Sequence, residues 1–115
     1  MQAEIPSNSK GLPGAQVAKA GELVNYQDGA VVSREIVKKP TGNVTLFAFD
    51  QGQGLSEHTA PFDATVLALE GEAEITISGT PRRVKKEDLL IMPANEPHGL
   101  KALTPFKMML VMIRE

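Results

Sequence analysis

The sequence predicts an all-β domain, a small antiparallel sandwich or barrel. Three observations carry that prediction. Short apolar runs recur about every ten residues, Gly and Pro separate them, and several alternate apolar with polar positions at a period of two. With 115 residues the chain has material for one domain. It is too short for a doubly wound nucleotide fold with a substrate domain, or for an α/β barrel of eight units.

Residues 1–30 are the least patterned and read as an arm able to wrap a neighbouring copy, with the barrel domain following over 31–115. Residues 6–14 are rich in turn formers. Val17 to Ala20 suits a short strand or turn, and Asp28-Gly29 a tight turn into the first main strand. Val31 to Val37 is β-branched and stops at Pro40. Thr41-Gly42-Asn43 is expected to turn the chain into a strand over Val44 to Asp50. That strand is apolar on both faces and is therefore predicted to be covered on both. Gly52 and Gly54 mark a bend before Ser56-Glu57-His58-Thr59. Asp63 to Leu69 is the next strand. Glu72 to Ser78 follows, with Ala73, Ile75 and Ile77 on one face. Gly79-Thr80-Pro81 reads as a hairpin turn, and the basic run Arg82-Arg83 and Lys85-Lys86 as a solvated turn or edge strand. Leu89 to Met92, His98 to Leu103 and Phe106 to Ile113 complete seven or eight strands; the last lacks helix caps and suits a strand better than a helix.

Composition removes several classes of function. Twelve basic residues against fourteen acidic ones leave a formal net charge of −2, which gives nucleic acid no basic field to meet. No helix-turn-helix segment precedes the barrel. Without cysteine there is no disulfide, thiolate catalysis or sulfur-ligated zinc. One Tyr, four Phe and no Trp make a poor stacking platform for single strands. No apolar window is long enough to span a membrane, and no secretory leader is visible, so a cytoplasmic location is the default expectation.

Two stretches carry a resemblance. Gly52 to Gly71 resembles the first signature segment of the cupin superfamily: Gly, five residues, His, one residue, His, three or four residues, Glu, six residues, Gly. Gly52, His58 and Gly71 match; Ala60 stands at the second His position and Ala64 or Thr65 at the Glu position. Glu87 to Ala102 resembles the second segment, with Pro93 and His98 matching, and Glu87, Asn95 and Ala102 standing where the family has Gly, Gly and Asn. The wording around Leu69-Glu70-Gly71 and Met92-Pro93-Ala94 is similar to that of small single-domain cupins. The resemblance spans about residues 31–113. It implies an antiparallel jelly-roll barrel (a double-stranded β-helix) and a homodimer built by sheet association.

The resemblance also implies a barrel-mouth site in which three imidazoles and a carboxylate hold a divalent metal such as Zn, Fe, Mn or Ni. This chain has only two histidines, His58 and His98. Glu57, next to His58, should point to the opposite face, while Gln53 or Asp63 is a conceivable oxygen donor. Phe47, Phe49, Phe62 and Met92 are the expected cavity walls, and Met108, Met109 and Met112 the expected packing. The leading expectation is a small-molecule-binding protein whose ligand sits near His58 and His98. The alternatives are a metal-dependent dioxygenase or isomerase, and a structural or regulatory homodimer with no cavity ligand.

Overall fold

The computed structural model describes residues 12–114. Its strands run, in chain order, β1 (Val31–Lys39), β2 (Gly42–Phe49), β3 (Gly54–His58), β4 (Ala64–Glu70), β5 (Glu72–Ile77), β6 (Thr80–Lys85), β7 (Leu89–Met92), β8 (His98–Ala102) and β9 (Phe106–Ile113). They form a five-stranded sheet, β1-β2-β9-β4-β7, and a four-stranded sheet, β3-β8-β5-β6. The pairings in both sheets are antiparallel. The architecture is the predicted all-β jelly-roll barrel.

Period-two patterning builds the core. Val66 and Ala68 of β4, Ala73 and Ile75 of β5, and Met108 and Leu110 of β9 point between the sheets. Phe49 and Phe106 fill the remaining space, with ring centroids 6.0 Å apart. Each large side chain removed from water here stabilises the fold by roughly 1.5–3 kcal/mol.

The two apolar faces of β2 have separate roles. Phe47 and Phe49 turn into the barrel, whereas Leu46 and Ala48 are fully buried on its outer side. Their cover comes from the segment preceding the barrel, through Leu23, Val24 and Tyr26. A single 3₁₀ turn, Ala20–Glu22, leads into it. Val17, expected in a short strand or turn, is fully exposed on irregular backbone. Of the arm read over residues 1–30, residues 1–11 lie outside the described residues.

Polar contacts fix this cover. The Lys107 ammonium, on a side chain only 8% exposed, donates to the Gly21 carbonyl at 2.7 Å and lies 4.9 Å from the centroid of the Tyr26 ring. The Tyr26 hydroxyl donates to Glu70 at 2.7 Å. Burial, and then the Glu70 carboxylate, push the phenol well above its ordinary pKa. Arg34 Nη1 donates to the Leu23 carbonyl at 3.2 Å, while Nε and Nη2 are buried with no partner among the described residues.

Three local expectations are sharpened. Gly42 and Asn43 already belong to β2, so the turn is confined to Pro40-Thr41. The bend marked by Gly52 falls at Gln51-Gly52, and Gly54 already begins strand β3. The basic run matches the edge-strand reading for Arg82, Arg83 and Lys85 in β6 and the turn reading for Lys86, while β6 begins at Thr80, so the expected hairpin turn falls at Ser78-Gly79.

Candidate functional site

His58 ends β3 and His98 opens β8, and the two residues face each other as cross-strand partners. Gly54 makes this pairing possible, because a Cβ there would collide with the Leu100 backbone carbonyl. The register then shifts between Leu55 and His58, so a one-residue irregularity sets which way the His58 side chain is presented. The two imidazoles meet edge to face, with centroids 4.4 Å apart and planes at 70°.

Both rings are held alike. His58 Nδ1 lies 2.8 Å from the Ser56 carbonyl oxygen, and His98 Nδ1 lies 3.1 Å from that of Glu96. A carbonyl oxygen can only accept, so Nδ1 carries the proton in each ring, and Nε2 of the neutral imidazole keeps its lone pair. His98 is 5% exposed, whereas His58 is exposed. Burial pushes the His98 pKa below its ordinary value, the bond to the Glu96 carbonyl pulls the other way, and His58 adds to the lowering. His98 is therefore a neutral base at neutral pH.

Both rings line one small cavity of about 50 Å³, together with Ala60, Ala64, Met92 and Met112. That is room for an ion or about one water; binding pockets for organic ligands usually run to ~300 Å³ or more. Among the expected wall residues, Met92 lines the cavity. Phe47 and Phe49 stack on each other at 5.7 Å within the core and do not line it. Phe62 lies elsewhere, in an outer groove of about 730 Å³ with Ile91, Val111 and Ile113, its ring 5.0 Å from the Arg114 guanidinium carbon. The turn at Pro61 carries it out of the barrel. Asp63 also borders that groove and accepts the Ala94 N–H at 2.8 Å. Neither Gln53 nor Glu57 lines the cavity.

A model of the cupin domain matches residues 45–114. The chain belongs to the cupin family. It is similar over 99% of its length to a conserved protein of unknown function from Streptococcus pyogenes, at 32% identity, a TM-score of 0.86 and 96% coverage of that chain. A cupin superfamily protein from Desulfitobacterium hafniense is 26% identical, with 98% of this chain and 100% of that one covered and a TM-score of 0.85. A cupin 2 conserved barrel domain protein from Leptotrichia buccalis is 39% identical over 82% of this chain and 46% of its own, with a TM-score of 0.79. No curated protein matches the chain.

Within this cupin, Ala60 and Ala64 stand on the cavity wall where the family motif places its second His and its Glu. Thr65 borders the outer groove instead, which settles Ala64 as the inward position. Among the described residues, no group of three or more His, Cys, Asp or Glu side chains is placed to hold a metal. The three-imidazole, one-carboxylate set is therefore not assembled by these residues. His58 and His98 bring two nitrogen donors, and the cavity lining contains no carboxylate.

Sequence reasoning passed over Met112 as a site residue. Ala64 pairs with Met92 on one side and with Met112 on the other, and that three-strand register is what brings both residues to the cavity. The available signal was the period-two phase of Met108, Leu110 and Met112.

Proposed function

We propose that this cupin is a binding protein. Its paired imidazoles hold one small electron-poor guest at the barrel mouth, either a metal cation or the hydrogen-bond donor of a small molecule. The observation that carries this reading is the convergence of His58 and His98 on one cavity, with each Nδ1 tied to a backbone carbonyl. Two oriented Lewis bases without a neighbouring carboxylate favour holding a guest over breaking its bonds. A small organic ligand would present one polar atom to the pair and keep its bulk outside, beside the exposed His58, because the cavity of about 50 Å³ cannot enclose it.

Histidine-selective ¹⁵N spectra test the proposal. Titration with Zn(II), Ag(I) and a set of small amines and alcohols should move the Nε2 resonances of both rings together for at least one probe. His98→Ala should abolish the response. Failure of every probe to move either ring would overturn the reading.

The same reading includes self-association. On the outer sheet face, Leu89, Ile91 and Ile113 are 66%, 55% and 69% exposed, and among the described residues the far side of β7 has no neighbouring strand. An uncovered apolar face beside a free edge supports a homodimer.

A further inference from the structure

The cavity is more than a pair of histidines. Its imidazoles come from the four-stranded sheet, on β3 and β8. Opposite them, β7 and β9 of the five-stranded sheet bring Met92 and Met112 to the same void. Ala64 lies between these methionines as the cross-strand neighbour of both. Its methyl group leaves open the space that a longer side chain would fill. Met92 is 7% exposed and Met112 is half-buried, so this wall is partly withdrawn from water. Met108 also borders the cavity but packs in the core against Phe47.

The candidate donors are therefore two imidazoles and the thioethers of Met92 and Met112, with Met108 on the core side of the same cavity and no carboxylate among the lining residues. Three physical points follow. Thioether sulfur is a soft donor that selects soft, closed-shell cations over hard ones. No anionic ligand is present to offset the charge of a guest. In a Born picture a doubly charged ion costs about four times as much to desolvate as a singly charged one of the same size. Finally, the cavity of about 50 Å³ has room for a bare ion but not for one that keeps several waters. Each point disfavours the divalent ions implied by the family motif.

We infer that the barrel mouth is a site for a soft monovalent cation, Cu(I), bound by His58, His98, Met92 and Met112. This rests on the proposed binding role of the histidine pair and adds the class of guest and two further ligands. The step is ligation alone. Copper arrives and stays as Cu(I), and no electron is transferred.

The test uses the full chain, with Ag(I) as a redox-inert probe of the same charge and softness and Cu(I) under reducing, anaerobic conditions. The expected result is one ion per chain, held against a competing chelator at least about tenfold more tightly than Zn(II). The variant Met92→Leu/Met112→Leu keeps the side-chain volume nearly unchanged and should fold. It should lose about tenfold or more in Ag(I) and Cu(I) affinity while its Zn(II) affinity stays the same. A second measurement needs no variant. With ¹³C-methyl-labelled methionine, Ag(I) should shift the Met92 and Met112 methyl signals and leave Met109, which packs in the outer cluster with Leu46, in place.

Ag(I) affinity unaltered in the double variant, or Met92 and Met112 signals unmoved by saturating Ag(I), would overturn the inference. Tighter binding of Zn(II) than of Ag(I), lost in His98→Ala, would also overturn it but leave the histidine binding role standing. No binding of Ag(I), Cu(I), Zn(II) or the small organic probes would remove both.

Discussion

Replacing Lys107 by methionine should release the segment that covers the outer face of β2 without unfolding the barrel. The lysine ammonium donates to Gly21 at 2.7 Å and rests 4.9 Å from the Tyr26 ring centroid. A hydrogen bond to a charged donor contributes roughly 1.5–3 kcal/mol and a partly desolvated cation–π contact ~0.5–2 kcal/mol. Against this, methionine keeps the packing of the aliphatic stem and avoids desolvating an ammonium, which costs several kcal/mol on its own. The net loss should be about 1–3 kcal/mol, or roughly five- to 150-fold in a local opening equilibrium. Arg34 makes the segment easier to lift, because water can reach its two unpartnered guanidinium nitrogens once Leu23 moves away. Native-state hydrogen exchange measures the effect directly. The Glu22 and Leu23 amides, bonded within the turn to Lys19 and Ala20, should exchange faster by that factor. Amides of β4 and β9 in the core should change much less. Unchanged exchange at Glu22 and Leu23 would refute the assignment of Lys107 as the clamp. An equal rise throughout β4 and β9 would refute the independence of the segment from the barrel.

Three further outcomes follow from the same structure. The unfolded chain binds a proton at His98 near pH 6.5 and the folded chain only at lower pH, so folding stability should fall as pH drops through that interval. Urea titrations at several pH values should show this loss, and it should be weaker in His98→Gln. Gly71→Ala should destabilise the protein by about 2–4 kcal/mol in urea unfolding, because Gly71 has φ = +79° and an added Cβ would meet the Pro105 carbonyl. Ile91→Lys, at a side chain 55% exposed on the outer sheet face, should shift sedimentation towards the monomer with little change in melting temperature. An unchanged sedimentation coefficient would refute the proposed association through this face.

Strands that bury one face were legible in the sequence. Glu72–Ile77 announces itself by alternation, Phe106–Ile113 by an apolar run without helix caps, and the uniformly apolar Val44 to Phe49 correctly implied cover on two sides. The strands that were hard to read are β3 and β6, and both are outer strands of the four-stranded sheet. Such a strand pairs its backbone on one side and can stay polar. In β6 only Val84 is buried, and in β3 only Leu55 packs on the core. The motif spacing located His58 and His98 but not their common orientation, which depends on the register shift in β3. Met92 and Met112 were harder still, because their proximity needs β7, β4 and β9 in register, a non-local fact that neither residue's neighbourhood encodes.

The two histidines are carried by strands of unequal standing. His98 begins β8, which is bonded to β3 on one side and to β5 on the other; His58 ends β3, which among the described residues has β8 alone as a neighbour. Edge strands open locally at a lower free-energy cost than interior ones. The pair therefore acts as a fixed jaw and a moving one. For the guest proposed above, residence time at the barrel mouth would then follow how often the end of β3 lifts, a property of the backbone around Ser56 and Glu57. Substitutions at those exposed positions can change how long a guest stays without touching the atoms that hold it.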